Sequence, residues 1–208
     1  MSVKKSVRLI SAFRCYVYSL KMQLKPKKMN VVRQSAFLDE LLEGYRLVLG
    51  TDYDAYRNHC LRLFNFCVAL AGDEKAAEHN KIAIAAVFHD LGIWTEKTLD
   101  YLAPSQLLAQ RYLEKNFKAS WCKEIDAMIG EHHKITRYRL NPSWLVEAFR
   151  KADLIDLSGG LIRFRLPDDF VSDVLDAYPN AGFHKMLSRL AIKRLKTKPF
   201  SPLPMMKW

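Results

Sequence analysis

The sequence predicts an all-α fold, a single-domain bundle of helices. Apolar residues recur at spacings of three and four along most of the chain, which is the period of a helix with one buried face. Alternating apolar and polar residues would indicate a strand, and the segment 161–166 is the only candidate for one. The length of 208 residues fits one domain with a full-sized core.

Eight helices are expected, and several carry a start or stop signal. Gly50 suits the end of the first helix, and Thr51 or Asp52 can cap the second. Asn141 followed by Pro142 is a strong start for the sixth, because asparagine is a good cap and proline suits the first turn. In chain order, the expected helices span about residues 35–49, 52–71, 74–90, 104–117, 120–132, 141–158, 168–177 and 183–196.

The positive charge is concentrated in a basic leader. The whole chain has a formal net charge of +11, and the first 28 residues contain eight lysines and arginines but no acidic residue. The remaining residues therefore carry a net charge of only +3, so nucleic acid is not expected as a partner. We divide the chain into the leader, 1–33, the helical domain, 34–197, and a proline-rich tail, 198–208.

The leader has several interpretations. Translation could start at Met29 or Met22, and regular helical patterning after residue 34 favours this. The alternatives are a transit peptide, or weak attachment to nucleic acid or an anionic membrane. The sequence contains no stretch of 18 apolar residues, so no transmembrane helix is expected. Four cysteines without CxxC spacing favour a reduced, cytoplasmic protein.

The candidate site starts from His89 and Asp90, which close an apolar helical run. Burial of a carboxylate and an imidazole is unfavourable unless something pairs with them, and a divalent metal ion would do so. His59 on the second helix and Asp153 on the sixth have similar apolar surroundings. Each residue alone could be an ordinary core or salt-bridge residue, but four ligands from three helices are typical of a metal site in a bundle. The donor set suits Mn, Fe, Ni, Co, Zn or Mg.

The order His59, His89-Asp90, Asp153 resembles the H…HD…D pattern of the HD superfamily of metal-dependent phosphohydrolases. The resemblance covers about residues 50–160. It implies an HD-type helical fold in which these four residues hold a divalent metal. It also implies hydrolysis of a nucleotide or another phosphate ester by a metal-activated water.

Further site residues are expected near these ligands. No other histidine lies between Asp90 and His132, so we expect one metal, with His132 or His133 lining the site. The alternative is that both histidines only complement a helix dipole. Ile93 stands where some nucleotidase-type HD proteins carry a glutamate. Candidates for proton transfer are His132, Glu96 and Asp100, and candidates for substrate contact are Arg62, His133 and Lys134.

Two other functions remain open from the sequence. One is hydration or hydrolysis of a small non-phosphorylated, nitrile-like molecule, which the neutral loop 91–95 favours. The other is a regulatory module that binds a nucleotide without turnover. The expected partner is a small-molecule substrate, and a homo-oligomer is also compatible with the sequence.

Overall fold

A computed structural model describes residues 29–201 and 204–206, and all regular secondary structure in these residues is helical. The predicted all-α bundle is therefore confirmed, and from residue 31 the described chain belongs to one unit. The leader up to residue 28, and with it the predictions made for it, lies outside the described residues. The eight longer helices of the described part are α1 (Ala36–Glu43), α2 (Tyr53–Ala71), α3 (His79–Phe88), α4 (Leu102–Lys115), α5 (Cys122–Glu131), α6 (Val146–Leu157), α7 (Asp168–Ala177) and α8 (Phe183–Thr197).

Helices α2 and α3 form the centre of the bundle. Every residue of the segment 82–88 in α3 is buried, as its all-round apolar sequence predicts. The long helix α2 packs most extensively on α6 and also contacts α3, while α4 packs on α5. Cys60 and Cys67, which share a face of α2, are both buried free thiols. The helices that carry the predicted ligands are therefore neighbours in the core.

The first predicted helix is interrupted. Ser35 caps α1, since its hydroxyl accepts a hydrogen bond from the Leu38 amide at 3.4 Å. The helix stops at Glu43, and a separate turn, Arg46–Leu49, follows. The break places the Tyr45 ring edge-on against Phe88, with 5.7 Å between ring centroids. A periodic apolar pattern does not reveal such a break.

The sixth helix starts later than predicted, at Val146. Asn141 closes a turn, in which its carbonyl oxygen accepts a hydrogen bond from the Trp144 amide at 3.1 Å. The helix start is satisfied instead by the buried carboxylate of Glu124 from α5, which accepts from the Leu145 amide at 2.8 Å. A cap supplied by another helix replaces the local cap.

Other expected boundaries also shift. Residues 73–78 form a 3₁₀ helix, and α3 ends at Phe88, so the following His-Asp pair lies in a turn. The strand candidate 161–166 is irregular, and two of its residues, Phe164 and Arg165, have positive φ angles. The proline-rich tail contains a short 3₁₀ helix at Pro204–Met206. Within the described residues, none of the helices combines the length and hydropathy that a membrane span requires.

The turn after Asp90 packs closely against the start of α4. The Gly92 amide donates a hydrogen bond to the Ser105 hydroxyl at 3.0 Å. A Cβ atom on Gly92 would lie only 2.6 Å from the carbonyl oxygen of Tyr101, so this position requires glycine. The close approach of these two segments brings the Tyr101 side chain to the candidate site.

Candidate metal centre

Six potential ligands from four parts of the chain meet in the core. The structure brings together the four predicted ligands, and His132 and His133 join them from the end of α5. All six are buried except His133, whose side chain is 13% exposed. Three sets have ligand atoms that all lie within 4.8 Å of one another: His59, His89 and Asp153; His89, Asp90 and His132; and His132, His133 and Asp153.

Three imidazoles direct the same ring atom, Nε2, into the cluster. His59 Nδ1 lies 2.6 Å from a carboxylate oxygen of Asp156. Nδ1 of His89 and of His132 faces the carbonyl oxygen three residues earlier, at 2.8 Å and 2.6 Å. Because a carbonyl oxygen or a carboxylate accepts, each Nδ1 carries the proton and each neutral ring leaves a lone pair on Nε2. This is the tautomer that a metal ligand needs.

The carboxylates complete the cluster at distances that suit a shared cation. The Nε2 atoms of His59 and His89 are 3.0 Å apart. Asp90 Oδ2 lies 3.3 Å from His89 Nε2 and 3.8 Å from His59 Nε2, while Asp153 Oδ1 lies 3.9 Å from His59 Nε2. Lone pairs that face one another repel unless a proton or a metal ion lies between them.

Several of these buried atoms lack a hydrogen-bond partner among the described residues. They are Asp90 Oδ1, both carboxylate oxygens of Asp153 and His132 Nε2. Buried polar atoms are rarely left unpaired, so each unpaired one needs an explanation. Oxygen and imidazole donors are ligands for first-row divalent metals. The residues therefore fit a divalent metal ion.

Burial shapes the acidity of the cluster. It raises the pKa of Asp153 to about 7, against the opposing effect of His132 and His89. It lowers the pKa of His59 to about 4, although the adjacent Asp156 opposes this. Burial also acts on Asp90, but the neighbouring His89 and His132 hold its pKa well below the usual range. The site thus contains one carboxylate that stays ionised and one that favours its proton unless a cation replaces it.

A second layer of contacts fixes His59. Asp156 accepts from the His59 imidazole and forms a two-pronged ion pair with Arg62, in which Nη2 donates to Oδ2 at 2.9 Å and Nε donates to Oδ1. The Phe183 ring stacks on His59 with 4.1 Å between centroids. Burial opposes ionisation of Asp156, but His59 and Arg62 hold its pKa far below the usual range.

The sequence does not single out Asp156, and it assigns Arg62 the wrong role. Arg62 is buried, and its Nη1 donates to the carbonyl oxygens of Tyr178 and Pro179, at 2.8 and 3.2 Å. It therefore holds Asp156, the partner of His59, in the core. One signal could have revealed the pair: Arg62 follows His59 by three residues, and Asp156 follows Asp153 by three, on two helices that pack together.

Two predicted proton-transfer residues lie outside the site, and this prediction is corrected. Glu96 is exposed, and Asp100, which is 52% exposed, pairs with Arg194 at 2.9 Å. The loop between α3 and α4 buries Leu99 and Tyr101 and turns these two carboxylates to the surface. His132, the third candidate, is inside the cluster.

A cavity of about 290 Å³ reaches one side of the cluster. Asp90, His132, His133 and Asp153 line it, together with Lys134, whose ammonium group lies 2.9 Å from a carboxylate oxygen of Glu131. The Tyr101 hydroxyl is hydrogen-bonded to His133 Nε2, and burial raises the pKa of this tyrosine well above its usual value. The candidate substrate residues His133 and Lys134 are therefore placed beside this cavity.

The metal-free protein is expected to show a specific pH dependence. The pKa of Asp153 is about 7 in the folded protein and about 4 in the unfolded chain. This group therefore lowers the free energy of unfolding increasingly as pH rises from about 4 to about 7. His59 has a folded pKa of about 4 and acts oppositely, since stability is lost as pH falls below about 6.5. Urea unfolding between pH 4.5 and 8, compared with Asp153→Asn, isolates the first contribution. The variant should gain stability over the parent as pH rises, and a constant difference would contradict this.

The same competition should weaken metal binding in acid. Protons displace a metal from Asp153 and from the imidazoles, so apparent metal affinity should fall as pH drops below about 7.

Comparison with protein-family models, with curated proteins and with solved structures finds no match to this chain, so the interpretation of the site depends on its own residues.

Proposed function

We propose that this protein is an HD-type hydrolase that depends on a divalent metal and cleaves a phosphate ester. One observation carries the proposal: three imidazole Nε2 lone pairs and two carboxylates with unpaired oxygens converge in a buried cluster, one side of which lines a cavity. The sequence order of the ligands, which resembles the HD superfamily, supports the same conclusion.

The residues divide into three roles. His59, His89, Asp90 and Asp153 would hold the ion, which could be Mn, Fe, Ni, Co, Zn or Mg. When bound, it would lower the pKa of a water and polarise a phosphoryl oxygen. His132 lines the cavity with an Nε2 atom that has no partner among the described residues, so it is the candidate for proton transfer.

Lys134 lines the same cavity and is partly exposed, so its ammonium group would supply a positive charge for the phosphoryl oxygens in exchange for its contact with Glu131. In the proposed reaction, the oxygen of water bonds to phosphorus and the ester P–O bond breaks. The departing oxygen takes a proton, so the products are an alcohol and inorganic phosphate.

A second candidate is hydration or hydrolysis of a small uncharged molecule, such as a nitrile. The apolar character of the cavity wall favours it, because a neutral substrate needs no charged partner. A nucleotide-binding module without activity has no comparable support in the site.

The test is metal reconstitution with two substrate panels. Chelator-treated protein is reloaded with each metal singly and assayed for phosphate release from phosphomonoesters and nucleotides, and for amide formation from nitriles. We expect phosphate release that requires metal, loss of activity in Asp153→Asn, and retention in Glu96→Gln, a matched change at an exposed carboxylate. Bound metal with nitrile turnover and no phosphate release would overturn the proposal.

A further inference from the structure

We propose that the substrate of this site is a small alkyl phosphate monoester, with an aliphatic body and a single phosphoryl group, and not a nucleotide. This inference rests on the proposed phosphohydrolase function and concerns the part of the substrate that does not react. The composition, charge and size of the cavity carry it.

The part of the cavity wall outside the ligand cluster is mostly aliphatic. Apart from the cluster, Tyr101, Lys134 and Ser188, the described side chains that line the cavity are apolar. Six of them are Leu99, Ile135, Leu154, Leu157, Leu187 and Ala191. Such a wall gains free energy by covering methylene groups, and it offers no partner to the ring nitrogens and exocyclic groups of a base or the hydroxyls of a sugar.

The charge of the cavity fits one phosphoryl group. Among the described residues that line it, Lys134 is the single cation, and its contact with Glu131 lies at the partly exposed rim. Two buried arginines nearby have other partners: Arg62 binds Asp156, and Arg150 binds Glu147 and the carbonyl oxygen of Lys134. A diphosphate or triphosphate would bring further negative charges without cations to pair with them.

The size of the cavity points the same way. Its volume of about 290 Å³ lies just below the range of about 300–1,000 Å³ that ligand pockets usually have. Met205 and Met206 form part of the wall, and methionine side chains adapt to apolar groups of different shape. The cavity therefore suits alkyl chains of several lengths more than one rigid ring system.

The test is a chain-length series on the metal-loaded protein. Ethyl, butyl and hexyl phosphate are compared with adenosine monophosphate and glucose 6-phosphate for kcat/KM. The corresponding alkylphosphonates, which cannot be hydrolysed at the P–C bond by this reaction, report binding by calorimetry. We expect kcat/KM and affinity to rise about fourfold per added methylene until the wall is covered. Hexyl phosphate should then exceed both polar substrates.

Two aliphatic residues of α8, Leu187 and Ile192, provide a matched pair of variants. Leu187→Gln, on the cavity wall, should flatten the dependence of kcat/KM and of phosphonate affinity on chain length. Ile192→Gln, on the same helix but 56% exposed, should leave the whole series unchanged.

The outcomes separate this inference from the function on which it rests. Turnover of adenosine monophosphate equal to or better than that of hexyl phosphate would overturn the alkyl substrate while the hydrolase remains. Alkylphosphonate affinity independent of chain length would also overturn it. Affinity that rises with chain length, without phosphate release from any ester, would instead overturn the phosphohydrolase and keep the apolar recognition.

Discussion

Asp156→Ala should destabilise the protein by about 3–5 kcal/mol, because it leaves the Arg62 guanidinium buried without its counter-ion. The same change removes the acceptor that holds the proton on His59 Nδ1. Urea or thermal unfolding of metal-free protein measures the loss. Asp173→Ala, a change of an exposed aspartate in α7, is the control and should alter stability by less than about 0.5 kcal/mol.

A milder variant keeps the test informative if the alanine protein does not fold. Asp156→Asn retains an oxygen that can accept from His59 but loses the charge that pairs with Arg62. Partners of ligating histidines typically contribute about 10–100-fold to metal affinity. We therefore expect the folded variant to bind metal within this range more weakly. Unchanged affinity would mean that Asp156 serves the ion pair alone and does not position His59.

Asp90→Ala should abolish metal binding and activity together. Asp90 lies within 3.8 Å of the Nε2 atoms of His59, His89 and His132, so its removal takes a ligand from the centre of the cluster. We expect about one metal ion per chain in the parent protein and almost none in the variant after dialysis. Elemental analysis, with phosphate release assayed on the same samples, measures both.

The comparison needs a variant that alters charge without touching the cluster. Glu96→Ala removes an exposed carboxylate from the loop that follows Asp90, and it should keep both metal and activity. Full metal content together with full activity in Asp90→Ala would show that the ions bind elsewhere. Metal retained with activity lost would restrict Asp90 to the reaction itself.

The convergence of His59, His89, Asp90 and Asp153 could be predicted because each lies on an apolar helical stretch in a recognisable order. Asp156 was missed, because its spacing from Asp153 acquires meaning only once the face of α6 that meets α2 is known. The predicted cap of α6 was wrong for the same reason, because Glu124, which is remote in sequence, caps the helix in place of Asn141. Local patterns predict which faces are buried, whereas partners across an interface depend on how helices pack.

The loop after the His-Asp pair illustrates a second limit. Glu96 and Asp100 are close to the ligands in sequence, and proximity alone suggested a role in proton transfer. Their direction is decided by the tight packing of Gly92 on the start of α4, which turns Tyr101 inward. A residue that no motif marks therefore reaches His133, while the carboxylates face solvent.

Helix α8 forms one wall of the cavity, yet Phe183 is its only fully buried residue among the fifteen. The helix contributes Leu187, Ser188 and Ala191 to the cavity wall. It is buried in the core at its first residue, where Phe183 stacks on His59. A segment with so little buried surface has a free energy of local opening far below the free energy of global unfolding. We expect the exchange of molecules between the cavity and solvent to follow this local equilibrium.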